Sequence, residues 1–182
     1  MPRDFRFAWA LARDYDVIVE MDADGSHRPQ DLPVLLTELA RDAPGTGADL
    51  VLGSRWVPGG GVVNWPWYRK LISRGGTWYA QQALGLSVSD VTGGFRAFRR
   101  ATLERLPLDE VSSQGYCFQV DLVRRVLEAD MTVSEVPITF VERTRGRSKM
   151  SGSIVREALW KVTLWGVERR VRRFRRALTR RS

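Results

Sequence analysis

Apolar residues along this chain follow two rhythms. In "DVIVEM" (residues 16–21) they dominate a short run instead of alternating with polar positions, as in a central parallel strand covered on both faces. Past a turn, Pro29 suits the first turn of a helix, and Leu32, Leu35, Leu36 and Leu39 form one apolar stripe. "APGTG" ends that helix, and "ADLVLGSR" (48–55) follows as a second buried strand. Strand, helix and strand at this spacing predict a βαβ unit with parallel strands and a right-handed crossover.

Further on, "WVPGGGVVNWPWYRKLISRGGTWYAQQALGL" predicts a glycine-rich loop leading into a helix that mixes Trp65, Trp67, Tyr68, Trp78 and Tyr79 with Arg69, Lys70 and Arg74. "SDVTGGFRAFRR" reads as a loop entering a short strand, and "ATLERL" as a helical turn. "YCFQVDLVRRVLEAD" has helical spacing at Phe118, Leu122, Val123 and Val126. "TVSEVPITFVER" predicts one strand and "TRGRSKM" a polar loop. From about Ser153 to Leu178, Ile154, Leu159, Trp160, Leu164, Val167 and Val171 share a long amphipathic helix with a dense arginine face. No internal repeat occurs, so the pattern gives one α/β domain over residues 1–152 and a basic helical tail over 153–182.

Composition narrows the class. With 182 residues, 43% hydrophobic and 27% charged, the chain is the size and make-up of one folded domain. Cys117 is its only cysteine, which rules out an intrachain disulfide and leaves no Cys/His cluster for zinc. Charge interrupts every apolar run before the ~20 residues a membrane span needs, and "MPRDFRFAWALARDYD" lacks a signal-peptide core. The net charge of +8 has an address: residues 169–182 hold eight arginines and no acid, so the rest is neutral on balance. That tail suits an anionic lipid surface or nucleic acid.

The candidate chemistry starts at "EMDADGSH". Two carboxylates one residue apart, Asp22 and Asp24, stand where a buried strand meets solvent. On an extended segment they would point the same way, beyond the carboxyl end of a strand, where ligands bind in open α/β sheets. Such a pair can hold a hard divalent cation, Mg²⁺ or Mn²⁺, shared with a substrate diphosphate. It can equally be a turn with a capping acid. His27, the only histidine, reads as a surface residue beside that turn.

"EMDADGSH", "LVLGSRW", "SDVTGGFRAFRR", "GYCFQVDL" and "EVPITFVERTRGRSKM", in this order from about Phe7 to Met150, resemble the family 2 glycosyltransferases. They are most similar to the polyprenol-phosphate mannose synthases of the dolichol-phosphate mannosyltransferase group. The resemblance implies a GT-A (Rossmann-like) fold, N-terminally incomplete, and inverting transfer of mannose from GDP-mannose to a polyprenyl phosphate. Family members begin with two further βα units that hold the donor's base and ribose. Neither occurs here, and the strands present should leave a bare sheet edge.

The resemblance also distributes roles. It makes Asp22, Asp24 and Asp90 the catalytic carboxylates, with Asp22, Asp24 and Ser26 around the metal. Arg55, Arg69 and Ser73 become ligands of the acceptor phosphate. Gly93, Gly94, Arg96, Gln119, Asp121, Arg143 and Lys149 line the donor, the last two on a mobile flap. A phosphate monoester is already an anion with a second pKa near ~6, so the reaction needs cationic ligands more than a base. The implied partners are GDP-mannose, polyprenyl phosphate, an anionic membrane surface on the cytoplasmic side and a membrane-anchoring protein, with no nucleic acid. Three alternatives stand beside this reading: a polyprenyl-phosphate glucosyltransferase, a basic module binding nucleic acid or membrane, and an inactive fragment.

Overall fold

The structure, a computed structural model, describes residues 3–41, 47–111, 116–142 and 152–179. Its main sheet has four strands: β1 (Val17–Glu20), β2 (Leu50–Ser54), β4 (Arg96–Arg99) and β5 (Val133–Pro137), in the order β1-β4-β2-β5. A second sheet pairs β3 (Gly61–Val63) with β6 (Thr139–Val141) in parallel. The helices are α1 (Arg3–Leu11), α2 (Leu32–Leu39), α3 (Trp67–Leu84), α4 (Arg100–Arg105), α5 (Tyr116–Glu128) and α6 (Gly152–Thr179).

The first two strands are parallel, as their spacing predicts, yet they do not touch. β4 lies between them, antiparallel to both, pairing Ile18 with Phe98 on one side and Leu50 with Phe98 on the other. β2 is buried at all five positions and runs parallel to β5. β1 departs from the expectation of a strand covered on both faces: Ile18 is buried, while Val17 and Val19 are exposed. It pairs with β4 alone, so it is the bare edge the sequence predicts, and it reads apolar although one face meets solvent.

Two cores flank the sheet. Leu35 and Leu39 of α2 pack on Val51, Phe95, Ala97 and Ile138. On the opposite face Phe7 of α1 meets Phe98 edge-on at 5.5 Å and stacks on Phe118 of α5 at 6.2 Å. Leu50, Leu52, Leu122, Val126 and Val162 complete that larger core. Burial of these side chains is the main favourable term, on the order of 1.5–3 kcal/mol each.

"TVSEVPITFVER" is two strands instead of one. Ile138, buried at the break, donates its N–H to Ser54 O at 3.1 Å, and its carbonyl accepts from Gly61 N at 3.0 Å. The chain thus changes partners at Ile138, from β2 to β3, just after Pro137, which has no N–H to extend the ladder. β3 itself lies in the stretch read as loop.

The long C-terminal helix occupies the predicted range and lies against α3 and α5. At Gly166 the backbones come so close that a Cβ would stand 2.8 Å from Ala83 O. Tyr79 Oη and Thr163 Oγ1 are 2.6 Å apart, and the Arg124 guanidinium lies 5.0 Å from the Trp165 ring. Among the described residues, no helix is long and apolar enough to cross a membrane.

Candidate active site

Two groups of candidate residues gather beyond the carboxyl ends of β1 and β2. The first is the acidic turn. β1 stops at Glu20 and residues 23–26 form a turn, so turn geometry, not strand alternation, places Asp24. Asp24 Oδ1 accepts from Ser26 N at 3.1 Å and from the Ser26 hydroxyl. Gly25 has φ +80°, a conformation that costs glycine little. Asp22 and Asp24 are both exposed, whereas Ser26 and His27 are buried.

His27 is therefore no surface residue. Its Nδ1 accepts the Asp22 N–H at 3.1 Å, which leaves the ring proton on Nε2, and its ring sits 5.2 Å from both Phe95 and Phe140. Burial lowers its pKa from the ordinary 6.5, against the opposing pull of the Asp22 charge. The imidazole fixes the backbone from which Asp22 projects. Gly94 lies alongside: a Cβ there would be 3.4 Å from Asp22 Oδ2 and 3.6 Å from His27 Cε1. The "TGG" loop thus neighbours the acidic turn at Gly94 and Asp90 at Gly93.

The second group surrounds Arg55. Asp90 is fully buried and grips Arg55 twice, Oδ2 from Nε and Oδ1 from Nη2, both at 2.6 Å. Thr92 Oγ1 accepts from the same Nη2 at 2.9 Å. The loop carrying Asp90 is held in turn by Glu135, whose carboxylate accepts Ser89 N at 2.6 Å and Asp90 N at 2.9 Å. A buried carboxylate paired twice with a guanidinium orients that cation, so Asp90 fixes the position of Arg55.

One helical turn apart on α3, Arg69 and Ser73 face Arg55 across a cavity of about 100 Å³. Trp65 lines it too, with the Arg69 guanidinium stacked 4.3 Å from its ring and that of Arg55 at 5.3 Å. Arg69 Nη1 pairs with Glu142. Arg69 Nε, Ser73 Oγ and Trp65 Nε1 are buried and have no hydrogen-bond partner. Unmatched buried donors carry a desolvation cost, and these three belong to residues that line the cavity. Its other walls are apolar: Ile72, Ala80, Val120, Leu159 and Val162.

The remaining donor candidates divide. Arg96 is fully buried and spends its guanidinium on three carbonyls, those of Gly93 at 2.8 Å, Gln119 at 2.9 Å and Val91 at 3.0 Å. It clamps the glycine loop against α5. Gln119 Nε2 donates to Glu20 Oε1 at 3.0 Å, just before the acidic turn, and its Oε1 is a buried acceptor without a partner. The buried carboxylate of Asp121 accepts from Arg124 at 2.5 and 3.1 Å and lies 3.3 Å from Arg125, so it braces α5. Burial opposes the charge on Arg124, but hydrogen bonding to Asp121 prevails and its pKa is raised. Arg143 and Lys149 lie outside the described residues.

Sequence reasoning missed Trp65 as a cavity wall, and Glu135 and Glu142 altogether. Glu135 leaves a faint signal, a lone acid between Ser134 and Val136 in a short strand. Glu142 leaves none.

Comparison with known proteins follows the same lines. The family model described as glycosyl transferase family 2 matches residues 5–106, more than half of the chain. The chain is 52% identical over 169 residues to a polyprenol monophosphomannose synthase of Mycolicibacterium smegmatis, covering 93% of this chain and 62% of that protein. It is 54% identical over 164 residues to an undecaprenyl-phosphate mannosyltransferase of Micrococcus luteus, covering 90% and 65%. The chain thus spans less than two thirds of the length of these relatives. Among solved structures it is similar to glucosyl-3-phosphoglycerate synthase of Mycobacterium tuberculosis. With UDP bound, that protein matches with a TM-score of 0.55 at 20% identity over 88% of this chain and 52% of that one. With Mn²⁺, UDP and phosphoglyceric acid the TM-score is again 0.55 at 20% identity, over 84% and 48%. At that identity the likeness concerns fold alone, and the fold is the GT-A architecture expected from the sequence.

Proposed function

Because the chain belongs to glycosyl transferase family 2, we propose that it transfers mannose from GDP-mannose to a polyprenyl phosphate, inverting the configuration at the sugar carbon. One observation carries the reading: the cavity between Arg55, Arg69 and Ser73 has unmatched donors at one end and the apolar sides of α3 and α6 at the other. A phosphate joined to an isoprenoid has the same two-part chemistry. The names of the two curated relatives agree with it.

The acceptor phosphate enters as a dianion and needs no base. Arg55, fixed by Asp90, and Arg69 hold it; Ser73 Oγ adds a neutral donor. One phosphate oxygen forms a bond to the anomeric carbon as the bond from that carbon to the donor diphosphate breaks on the opposite face. Orientation of the nucleophile is the main contribution of this chain's residues.

The acidic turn fits a hard divalent cation. Its ligand set is oxygen only, since His27 Nδ1 is already taken by the Asp22 N–H; among the described residues no group of three His, Cys, Asp or Glu side chains could hold a metal ion, so these carboxylates would supply only part of a shell. Asp22 and Asp24 would hold the ion, with Ser26 supporting Asp24, and the diphosphate would complete the shell. When bound, such an ion neutralises the charge that develops on the leaving diphosphate. Mn²⁺ accompanies UDP in the similar synthase structure.

Residues 1–152 would form the transferase part, with the helix from 153 as a membrane-binding tail at the cytoplasmic face. Trp67, Trp160 and Phe174 are 75%, 70% and 69% exposed, on the two helices that wall the cavity. Aromatic side chains of this kind beside arginines suit a headgroup layer, and a separate anchoring protein could share the task.

The test is transfer of labelled mannose from GDP-mannose to undecaprenyl phosphate with Mg²⁺ or Mn²⁺, by this chain and by this chain fused to the N-terminal third of the Micrococcus relative. Product that disappears with Asp24→Asn supports the reading. Label transferred only from UDP-glucose would move the assignment to a glucosyltransferase, and none from either donor by either protein would overturn it.

A further inference from the structure

Glu142 holds a cation that an acceptor phosphate would need. It follows β6, and its carboxylate pairs with Nη1 of Arg69, which itself lines the cavity. The pair is mostly shielded, Arg69 13% and Glu142 24% exposed. Its backbone is fixed as well: Glu142 N donates to Val63 O at 3.0 Å, and its neighbour Val141 N donates to Ser26 O at 2.9 Å. One short segment therefore joins the acidic turn to the acceptor cavity.

The charges around the cavity explain the pairing. Asp90 neutralises Arg55, and Glu142 neutralises Arg69, so the empty cavity carries no net charge from these four groups. Without Glu142, an unmatched guanidinium would sit over an indole ring in a largely apolar pocket, which is costly. With it, an incoming phosphate must displace a carboxylate to gain Arg69. Asp90 is not displaceable in this way, because it is fully buried and accepts three hydrogen bonds from Arg55, including the Arg55 N–H at 3.1 Å.

We propose that Glu142 is a placeholder for the acceptor phosphate: it pairs with Arg69 while the site is empty and yields it to the phosphate on binding. The inference rests on the acceptor-site reading above. Glu142 stabilises the empty protein and opposes the ligand, because a site that is competent only part of the time binds with affinity reduced by that fraction. Exchange of one anion for another also keeps Arg69 in place throughout, so acceptor binding needs no reorganisation of α3.

Opposite signs on stability and affinity distinguish this role from a structural one. The experiment measures thermal stability and calorimetric binding of farnesyl phosphate for the wild-type chain, Glu142→Gln, Arg69→Gln and the double variant. Glu142→Gln should lower the melting temperature without ligand and tighten farnesyl phosphate about tenfold. In the Arg69→Gln background the same change should leave affinity unaltered. A Glu142→Gln chain that binds equally or more weakly overturns the placeholder role and leaves the acceptor site standing. Should farnesyl phosphate fail to bind any of the four, the acceptor-site reading falls and the placeholder with it. If Glu142→Gln does not fold, Glu142→Asp, whose shorter carboxylate reaches Arg69 less well, should show the same signs at smaller size, and unchanged or weaker binding there overturns the proposal.

Discussion

The two halves of the site are built to different standards. At the cavity Arg55, buried, is paired by Asp90 and Arg69, mostly shielded, by Glu142, and Glu135 holds the loop behind Asp90. At the acidic turn, by contrast, Asp22 and Asp24 are exposed, and the strand that carries them is an open edge with Val17 and Val19 facing solvent. On the function proposed above, the acceptor half is the enclosed one and the donor half the open one. Acceptor binding should therefore be a property of this chain by itself, and donor binding should depend on whatever covers β1.

The largest effect expected is on transfer. Asp24→Asn should reduce the rate at least about 10²-fold, the scale on which a lost electrostatic contact to a leaving group acts, while farnesyl phosphate affinity stays within a factor of two. A matching loss of acceptor affinity would erase the distinction between the halves. Next comes Asp90→Ala, which strands the buried Arg55 charge. It should destabilise the fold by about 3–5 kcal/mol in chemical denaturation, against less than about 0.5 kcal/mol for Asp22→Ala at the exposed turn.

Arg69→Gln should weaken farnesyl phosphate about thirtyfold or more and change stability little, because Glu142 is left partly solvated. Smaller again is the joint change Trp67→Ala and Trp160→Ala. Vesicles containing anionic lipid should bind about tenfold more weakly, with the melting temperature unchanged, since both rings are exposed. The smallest effect concerns pH. His27 has a folded-state pKa below its unfolded value, so the unfolded chain binds the proton more readily. Its contribution to stability is complete above the unfolded value of 6.5 and is lost as pH falls toward the folded one. Melting curves between pH 7.5 and 5 should thus fall more steeply for the wild type than for His27→Gln.

Much of this was legible in the sequence because it lies in local pattern. The helix of Phe118, Leu122 and Val126 and the long C-terminal helix appear where periodicity put them; of the stripe Leu32, Leu35, Leu36 and Leu39, Leu35 and Leu39 are buried and Leu32 partly so, while Leu36 is exposed. What escaped was non-local. Nothing in "DVIVEM" says that β4, residues 96–99, inserts beside it from the other direction, nor that one face stays open. The break at Pro137 was visible as a proline, but the change of sheet at Ile138 depends on β3, a strand of only three residues in a glycine-rich stretch.

The site shows the same division. Arg55, Arg69 and Ser73 line one cavity, since helical spacing on α3 and one strand end fix them. Arg96 and Asp121 spend their side chains on partners within the protein. A motif position records that a residue matters near a site, and it does not distinguish a side chain that touches a ligand from one that braces the loop touching it. Only the partners decide: three carbonyls for Arg96, two arginines for Asp121. Glu142 could not have been found at all, because its meaning lies in a contact across 73 positions of sequence.

The most direct measurement is ³¹P NMR of farnesyl phosphate titrated with this chain, wild type and Arg69→Gln, without donor or metal. A phosphate resonance that shifts and broadens saturably with the wild type, and far less with Arg69→Gln, is the expected result, for it puts the phosphate beside Arg69 in the part of the site this chain completes. A resonance unmoved by the wild type, or moved equally by both, would contradict the acceptor site and the reading of function built on it.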